Sequence, residues 1–186
     1  MSKIIVPLDF SSTSFNALEY AKNLAHQLNY ELQLVHYYPL QINAYTTPEG
    51  MIPLDVLDNI KDEAEQRMQK IVSVIEQEEK YTVSYLVEAG DVVPELSKLA
   101  EETNPEFIIM GTVGNQTVLN KLIGSNAAGI VQNIMTPIIL IPADYELKPI
   151  QKIVYADSFD KEEFAILEDI INLLHQLSIN EIDVLH

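Results

Sequence analysis

The stretch M-G-T-V-G-N-Q-T-V-L-N-K-L-I-G-S-N, which runs from Met110 to Asn126, decides how this chain folds. An apolar run precedes it at 107–110, and a segment of helical character follows it from Ala127. The pattern predicts a buried strand, a glycine-bearing loop and then the first turn of a helix. Glycine lets backbone amides approach a ligand, and a helix N-terminus offers free N–H groups with partial positive charge. This arrangement predicts a seat for an anion, and nucleotide phosphates fit it best.

Three glycines define this loop. Gly111 and Gly114 are three residues apart, and Gly124 follows later and is joined directly to Ser125. The alternative interpretation is architectural, with Gly111 and Gly114 only turning the chain and Gly124 only making room for packing. The local sequence leaves both interpretations open.

The composition restricts the partners of the protein. The chain has 186 residues, a net charge of −17 and one arginine, Arg67. A nucleic-acid-binding surface needs a basic stripe, and the acidic field repels anionic membranes as well. No apolar run approaches the length of a membrane span, and there is no cysteine for disulfides, thiolate catalysis or sulfur-ligated metals. Met1–Ile4 leads directly into a strand and shows no signal peptide, so we expect a cytoplasmic protein. From the charge, we expect neither nucleic-acid nor membrane partners.

The hydrophobic pattern alternates between strands and helices along the first three quarters of the chain. The order βαβαβαβαβ predicts an α/β fold with an open, mainly parallel sheet and helices on both faces. Ser11 or Ser12 is expected to cap the first helix, Asp55 the second and Asp91 the third, and Phe15 is expected to face inward. Strands are expected at 4–8, 31–37, 81–87, 107–110 and 138–142.

Asp9 is the second component of the predicted site. In open parallel sheets, ligands bind beyond the carboxyl ends of the strands, where the strand order reverses. Asp9 follows the first strand directly and Gly111 follows the fourth, so both share one crevice if those strands are neighbours. Asp9 can then accept hydrogen bonds from an adenine amine or a ribose hydroxyl. The alternative is a carboxylate that only caps the first helix.

A polar linker at 143–149 precedes a partial internal repeat of the start of the chain. We therefore expect a complete nucleotide-binding domain at 1–143 and an incomplete second copy, its first βαβ unit, at 150–186. A lone βαβ unit cannot bury both faces of its strands, so it is expected to belong to a longer tandem protein or to pack on another chain. In the repeat, residues 153–157 match 5–9, and residues 181–186 match 31–36. Between them, an amphipathic helix is expected at 160–177, with Ile171 facing inward.

With these elements placed, the sequence resembles the universal stress protein (UspA-like) family. The family's nucleotide signature, G-x2-G-x9-G-[ST], is met by Gly111, Gly114, Gly124 and Ser125. The resemblance covers residues 3–142 in full and implies a five-stranded sheet of order 3-2-1-4-5, which places strands one and four side by side. The start V-P-L-D-F-S, L-V-H at 34–36, E-A-G-D at 88–91 and T-P-I-I-L-I-P at 136–142 are also similar to family segments.

The resemblance implies an ATP-binding stress-response sensor or regulator that also takes ADP or AMP, with Mg²⁺ on the phosphates. It further implies a homodimer that pairs through the last strand, Ile138 to Ile141. By the same resemblance, Asp9 would contact adenosine and Pro7 would line the pocket. The Tyr37 backbone would contact the adenine edge, and Met110 and Gly111 would form the base of the site. Gly114, Asn115, Gly124, Ser125 and Asn126 would cradle the phosphates.

Two departures from the family pattern keep other functions open. Tyr37 stands where the family often has a small aliphatic residue, and Ala127 stands where a phosphate-binding hydroxyl is common. They support a second hypothesis, a dimerisation or interaction module that binds no nucleotide. A nucleotide-using enzyme is a third, but there is no G-x-x-x-x-G-K-[ST] and no general base near the phosphates. We therefore assign no catalytic residue, expect at most slow ATP hydrolysis, and regard the four histidines as too scattered for a zinc site.

Overall fold

The computed structural model describes most of the chain in two compact units, Met1–Tyr145 and Glu146–His186. Among the described residues, no helix combines the length and apolar character that a membrane crossing requires. The described ranges are 2–39, 54–78, 82–112, 125–148, 150–156, 164–179 and 181–185.

The first unit alternates strands and helices as the hydrophobic pattern predicts. Every strand begins and ends within two residues of its predicted limits. The strands are β1 (Lys3–Pro7), β2 (Glu31–Tyr38), β3 (Val83–Ala89), β4 (Phe107–Gly111) and β5 (Ile138–Ile141). The helices are α1 (Ser12–Leu28), α2 (Leu54–Glu78), α3 (Val92–Thr103) and α4 (Ser125–Asn133).

The sheet has the order β3-β2-β1-β4-β5, and all of its strand pairs are parallel. This confirms the expected order and places β1 and β4 side by side, with Ile5 opposite Ile108. The chain builds the sheet outward from β1 in one direction and then restarts at β4 in the other. At such a reversal of strand order, a crevice opens between β1 and β4 at the carboxyl edge of the sheet.

Both faces of the sheet are covered, as expected for a parallel sheet. Alternate residues of a strand point to opposite faces, so fully buried Ile4 and Val6 face away from fully buried Ile5. Helices α1 and α2 contact one side of the strands. On the other side, α3 and α4 enclose a core cluster that contains Ile5, Val35, Leu96, Ile108, Met110 and Ile130.

The helix starts follow the predictions only in part. Ser11 caps α1, because its hydroxyl accepts a hydrogen bond from the Ser14 amide at 3.2 Å. Asp91 occupies the N-cap position of α3 but makes no side-chain capping bond. The prediction that Asp55 caps α2 is wrong, since the helix already includes Leu54.

The inward placement of Phe15 is also wrong, since this side chain is 37% exposed. The buried stripe of α1 runs through Ala17, Ala21 and Leu24. Phe15 lies in the first turn of α1, outside that buried stripe.

The second unit is a βαβ unit with a parallel two-stranded sheet, as the partial repeat predicts. Leu174 is buried in it, whereas Ile171 is 38% exposed, contrary to the prediction. Two strands offer too little sheet to cover the whole apolar stripe of one helix. The elements are β6 (Ile153–Ala156), α5 (Phe164–Gln176) and β7 (Ile182–Leu185).

Candidate functional site

The crevice at the strand reversal contains two adjoining cavities, of about 160 Å³ and about 340 Å³. Asp9, Val92 and Asn126 line both of them, so the two cavities form one continuous site. The ends of β1 and β4 and the first turns of α1 and α4 surround the smaller cavity. The ends of β1 and β2 and the turn before α3 surround the larger one.

Six of the predicted site residues line this crevice. The smaller cavity brings together Pro7, Asp9, Met110, Gly111 and Asn126. The larger one adds Tyr37. Ser125 is the first residue of α4, and Gly114, Asn115 and Gly124 lie outside the described residues.

Asp9 lies at the junction of the two cavities and takes part in the turn that leads into α1. Its Oδ1 accepts a hydrogen bond from the Ser11 amide at 2.9 Å. Partial burial raises the pKa of the Asp9 carboxyl, but hydrogen bonds from Ser11 and Ser14 outweigh it, and the pKa is lowered below 3.8. The group is therefore an ionised acceptor at neutral pH. Asp9 supports the helix start and faces the crevice at once, so its two sequence interpretations are compatible.

Gly111 has a packing role that the sequence does not reveal. A Cβ atom at this position would lie 2.6 Å from the backbone oxygen of Thr13 and 2.6 Å from its Cγ2. No side chain can be accommodated there unless the backbone of α1 moves. Gly111 therefore permits the close approach of β4 and α1, in addition to lining the smaller cavity.

Tyr37 forms part of the wall of the larger cavity and also packs against the core cluster beneath α3 and α4. Burial, with additional repulsion from Glu88, Glu95 and Glu102, raises the pKa of the Tyr37 phenol. The phenol therefore stays neutral at physiological pH and can both donate and accept a hydrogen bond. With Val35 and Val93, it gives this cavity an apolar wall.

The acidic and basic groups of the crevice are unevenly distributed. Asp9 and Asp91 both line the larger cavity. The described lining residues of the two cavities include no lysine or arginine. Within the described ranges, no group of three or more histidine, aspartate or glutamate residues could hold a metal ion. Positive potential comes instead from the N-terminus of α4, where Asn126 and Ala127 line the smaller cavity.

Sequence reasoning missed several residues of the crevice. Thr13 and Ser14, in the first turn of α1, line the smaller cavity, and Val92 lines both. The polar run at 11–14, one residue after Asp9, was a usable signal for the first two. No local pattern marks Val92, whose position follows from the packing of α3 beside β2.

A doubly wound parallel sheet with a crevice at its strand reversal defines an α/β protein with a ligand-binding architecture. The sequence profile of the universal stress protein family matches residues 1–142. The chain belongs to the universal stress protein family.

Similar proteins agree with this assignment. A universal stress protein of Methanocaldococcus jannaschii is 26% identical over 141 residues, which cover 75% of this chain and 81% of that protein. A universal stress protein structure from Archaeoglobus fulgidus has a TM-score of 0.73 at 20% identity, covering 98% of this chain and 65% of that one. A universal stress protein solved in complex with cAMP has a TM-score of 0.51 at 22% identity, covering 77% of this chain and 98% of its own.

Proposed function

We propose that this protein is an ATP-binding regulator of the stress response, with ADP and AMP as further ligands of the same site. The observation that carries the proposal is the meeting of Pro7, Asp9, Met110, Gly111 and Asn126 in one crevice. Asp9 and Gly111 were expected to meet from the sequence pattern, whereas Pro7, Met110 and Asn126 were expected from the family resemblance. The family member in complex with cAMP supports an adenine nucleotide as the ligand.

The two cavities suit different parts of a nucleotide. The larger cavity, of about 340 Å³, lies near the lower end of the range of about 300–1,000 Å³ that is usual for ligand pockets. Its apolar wall of Val35, Tyr37 and Val93 suits a flat base. Asp9, between the cavities, would accept a hydrogen bond from a ribose hydroxyl, and the backbone of Tyr37 would meet the adenine edge.

The phosphates would lie at the N-terminus of α4, where unpaired N–H groups and the helix dipole favour an anion. Gly114, Asn115, Gly124, Ser125 and Asn126 would surround them, and Mg²⁺ would be held by the phosphate oxygens. The phosphates would have to lie away from the Asp9 carboxylate, because two negative groups close together repel each other. We assign no catalytic residue and propose that the bound state itself carries the signal, with at most slow hydrolysis.

Specific observations favour a second candidate, a dimerisation or interaction module without nucleotide. Gly111 is already required by its contact with Thr13, and Asp9 already has a partner in Ser11. The Tyr37 ring occupies a wall where a smaller residue would leave more room. Each feature has a structural purpose even if no nucleotide binds.

The assembly also belongs to this proposal. β5 is an edge strand of the sheet, and an edge strand can pair with the same strand of a second copy in a homodimer. We further propose that 1–143 is the nucleotide-binding domain and that 150–186 begins a second UspA-like domain. The Archaeoglobus structure, which covers nearly all of this chain, supports the latter. A cytoplasmic location without nucleic-acid or membrane partners agrees with the charge of −17.

Calorimetry with Mg-ATP tests the proposal. Saturable heat is expected for the wild-type protein and should disappear in Gly114→Val, which places a branched side chain in the phosphate loop. Gln69→Val is the matched control, because it places a branched side chain at an exposed position of α2 that lines neither cavity. Absence of heat at millimolar Mg-ATP, AMP and cAMP in the folded wild-type protein would favour the interaction module.

A further inference from the structure

Phe10, directly after Asp9, has an unusual backbone conformation. Its φ angle is 62°, in the left-handed region that a bulky side chain rarely adopts. Such a residue persists only where its surroundings hold it in place. The contacts that hold Phe10 therefore also determine where the preceding carboxylate lies.

Two side chains from other elements enclose the Phe10 ring. The ring of His36 in β2 packs against it, with 4.4 Å between centroids and 36° between planes. The guanidinium of Arg67 in α2 lies 5.3 Å from the Phe10 centroid, within the range of a cation–π interaction. Glu63, one helical turn earlier, orients Arg67 through an ion pair of 2.8 Å.

His36 also fixes the residue on the other side of Asp9. Its Nδ1 lies 2.7 Å from the backbone oxygen of Leu8. A carbonyl oxygen only accepts, so Nδ1 carries the proton and donates it. The Leu8 amide donates to the backbone oxygen of Val35 at 2.8 Å, so Leu8 is held on both sides. The segment on each side of Asp9 is thus attached to β2 or α2.

We propose that Phe10, His36 and Arg67 form a positioning cluster that holds Asp9 at the junction of the two cavities. None of the three lines either cavity, so each acts through the loop rather than on a ligand. The cluster also connects α2 to the crevice, because Arg67 of that helix lies over the Phe10 ring. The consequence for ligand binding rests on the proposed function, whereas the effect on Asp9 does not.

The first test measures Asp9 in the ligand-free protein by carboxyl ¹³C NMR titration. Phe10→Leu keeps the charge unchanged but removes the aromatic ring, so it should release the loop and raise the pKa of Asp9 toward 3.8. Phe10→Tyr keeps the ring and should retain the lowered pKa. An Asp9 pKa that is equally low in wild type, Phe10→Leu and Phe10→Tyr would overturn the proposal.

The second test uses Arg67→Gln, which changes an exposed residue and should leave the protein folded. We expect Mg-ATP to bind about two- to fivefold more weakly, in line with an exposed cation–π contact. Lys61→Gln removes another exposed cation of α2, paired with Glu65 at 3.7 Å, and should leave affinity unchanged. Lys61 lies about 120° around the helix from Arg67. Equal losses of Mg-ATP affinity in both variants would show that the change in net charge alone weakens binding, and would contradict the proposal.

The two tests separate the cluster from the proposed function. If the wild-type protein binds no nucleotide, the function fails, yet the Asp9 titration still decides whether the cluster positions the loop. If Mg-ATP binds and Phe10→Leu changes neither affinity nor the Asp9 titration, the cluster fails while the function stands.

Discussion

Gly111 lies against Thr13 so closely that its role in packing can be measured apart from any ligand. Gly111→Ala would place a Cβ 2.6 Å from a backbone oxygen, and overpacking of this kind destabilises by about 1–3 kcal/mol. Urea unfolding without nucleotide should show that loss. Gly129→Ala is the matched control, because its Cβ would meet only the Val93 side chain at 3.0 Å and alanine favours a helix. A smaller loss at Gly111 than at Gly129 would contradict this account.

Asp9 should contribute to the dependence of stability on pH. Its pKa is below 3.8 in the folded protein, so the ionised carboxylate stabilises the folded state. This contribution is fully present above the unfolded value and is lost as pH falls through the folded pKa. The stability difference between wild type and Asp9→Asn in urea unfolding should therefore shrink from about pH 7 to about pH 3. A difference that stays constant over that range would contradict the lowered pKa.

Some residue roles were predictable from sequence and others were not. Ser11 was expected at the start of α1 because serine before an apolar-periodic segment is a common cap. The Phe10 cluster was not, since residues 10, 36 and 67 are far apart in sequence and carry no shared pattern. The contact between Gly111 and Thr13 likewise depends on how α1 lies on β4, which no local signal encodes.

At the level of elements, the two N-caps beside the crevice provide a comparison. Ser11 accepts a hydrogen bond from the Ser14 amide, whereas Asp91 makes no side-chain capping bond. Ser11→Ala should therefore destabilise by about 1 kcal/mol, and Asp91→Ala by clearly less. Thermal or urea unfolding of the two variants checks this. Equal losses would mean that Asp91 caps α3 in solution.

The strands were predictable because their apolar or alternating runs are too short for helices and are bounded by polar residues. The start of α2 was not, because the helix already includes Leu54, an apolar residue that gives no capping signal. The sheet order followed from family resemblance, since hydrophobic patterns identify strands without stating which of them pair.

At the level of the whole molecule, the first unit should function without the second. A variant that ends at Tyr145 keeps the Asn16 hydrogen bond to the Ala143 backbone oxygen at 2.8 Å. It also keeps the edge-on contact of Tyr20 and Tyr145, at 5.7 Å between centroids. We expect this variant to fold cooperatively and to bind Mg-ATP with unchanged affinity by calorimetry. Loss of binding in a folded variant would show that residues 146–186 contribute to the site.

The central claim is that the crevice between β1 and β4 binds an adenine nucleotide. The most direct measurement is a ¹⁵N-edited NMR titration of the 21.0 kDa protein with Mg-ATP. We predict saturable amide shifts at Leu8 to Ser11, at Asp91 to Val93 and at Asn126 and Ala127, with resonances of 153–185 unchanged. No shift at about millimolar Mg-ATP, or shifts confined to residues outside the crevice, would contradict the claim.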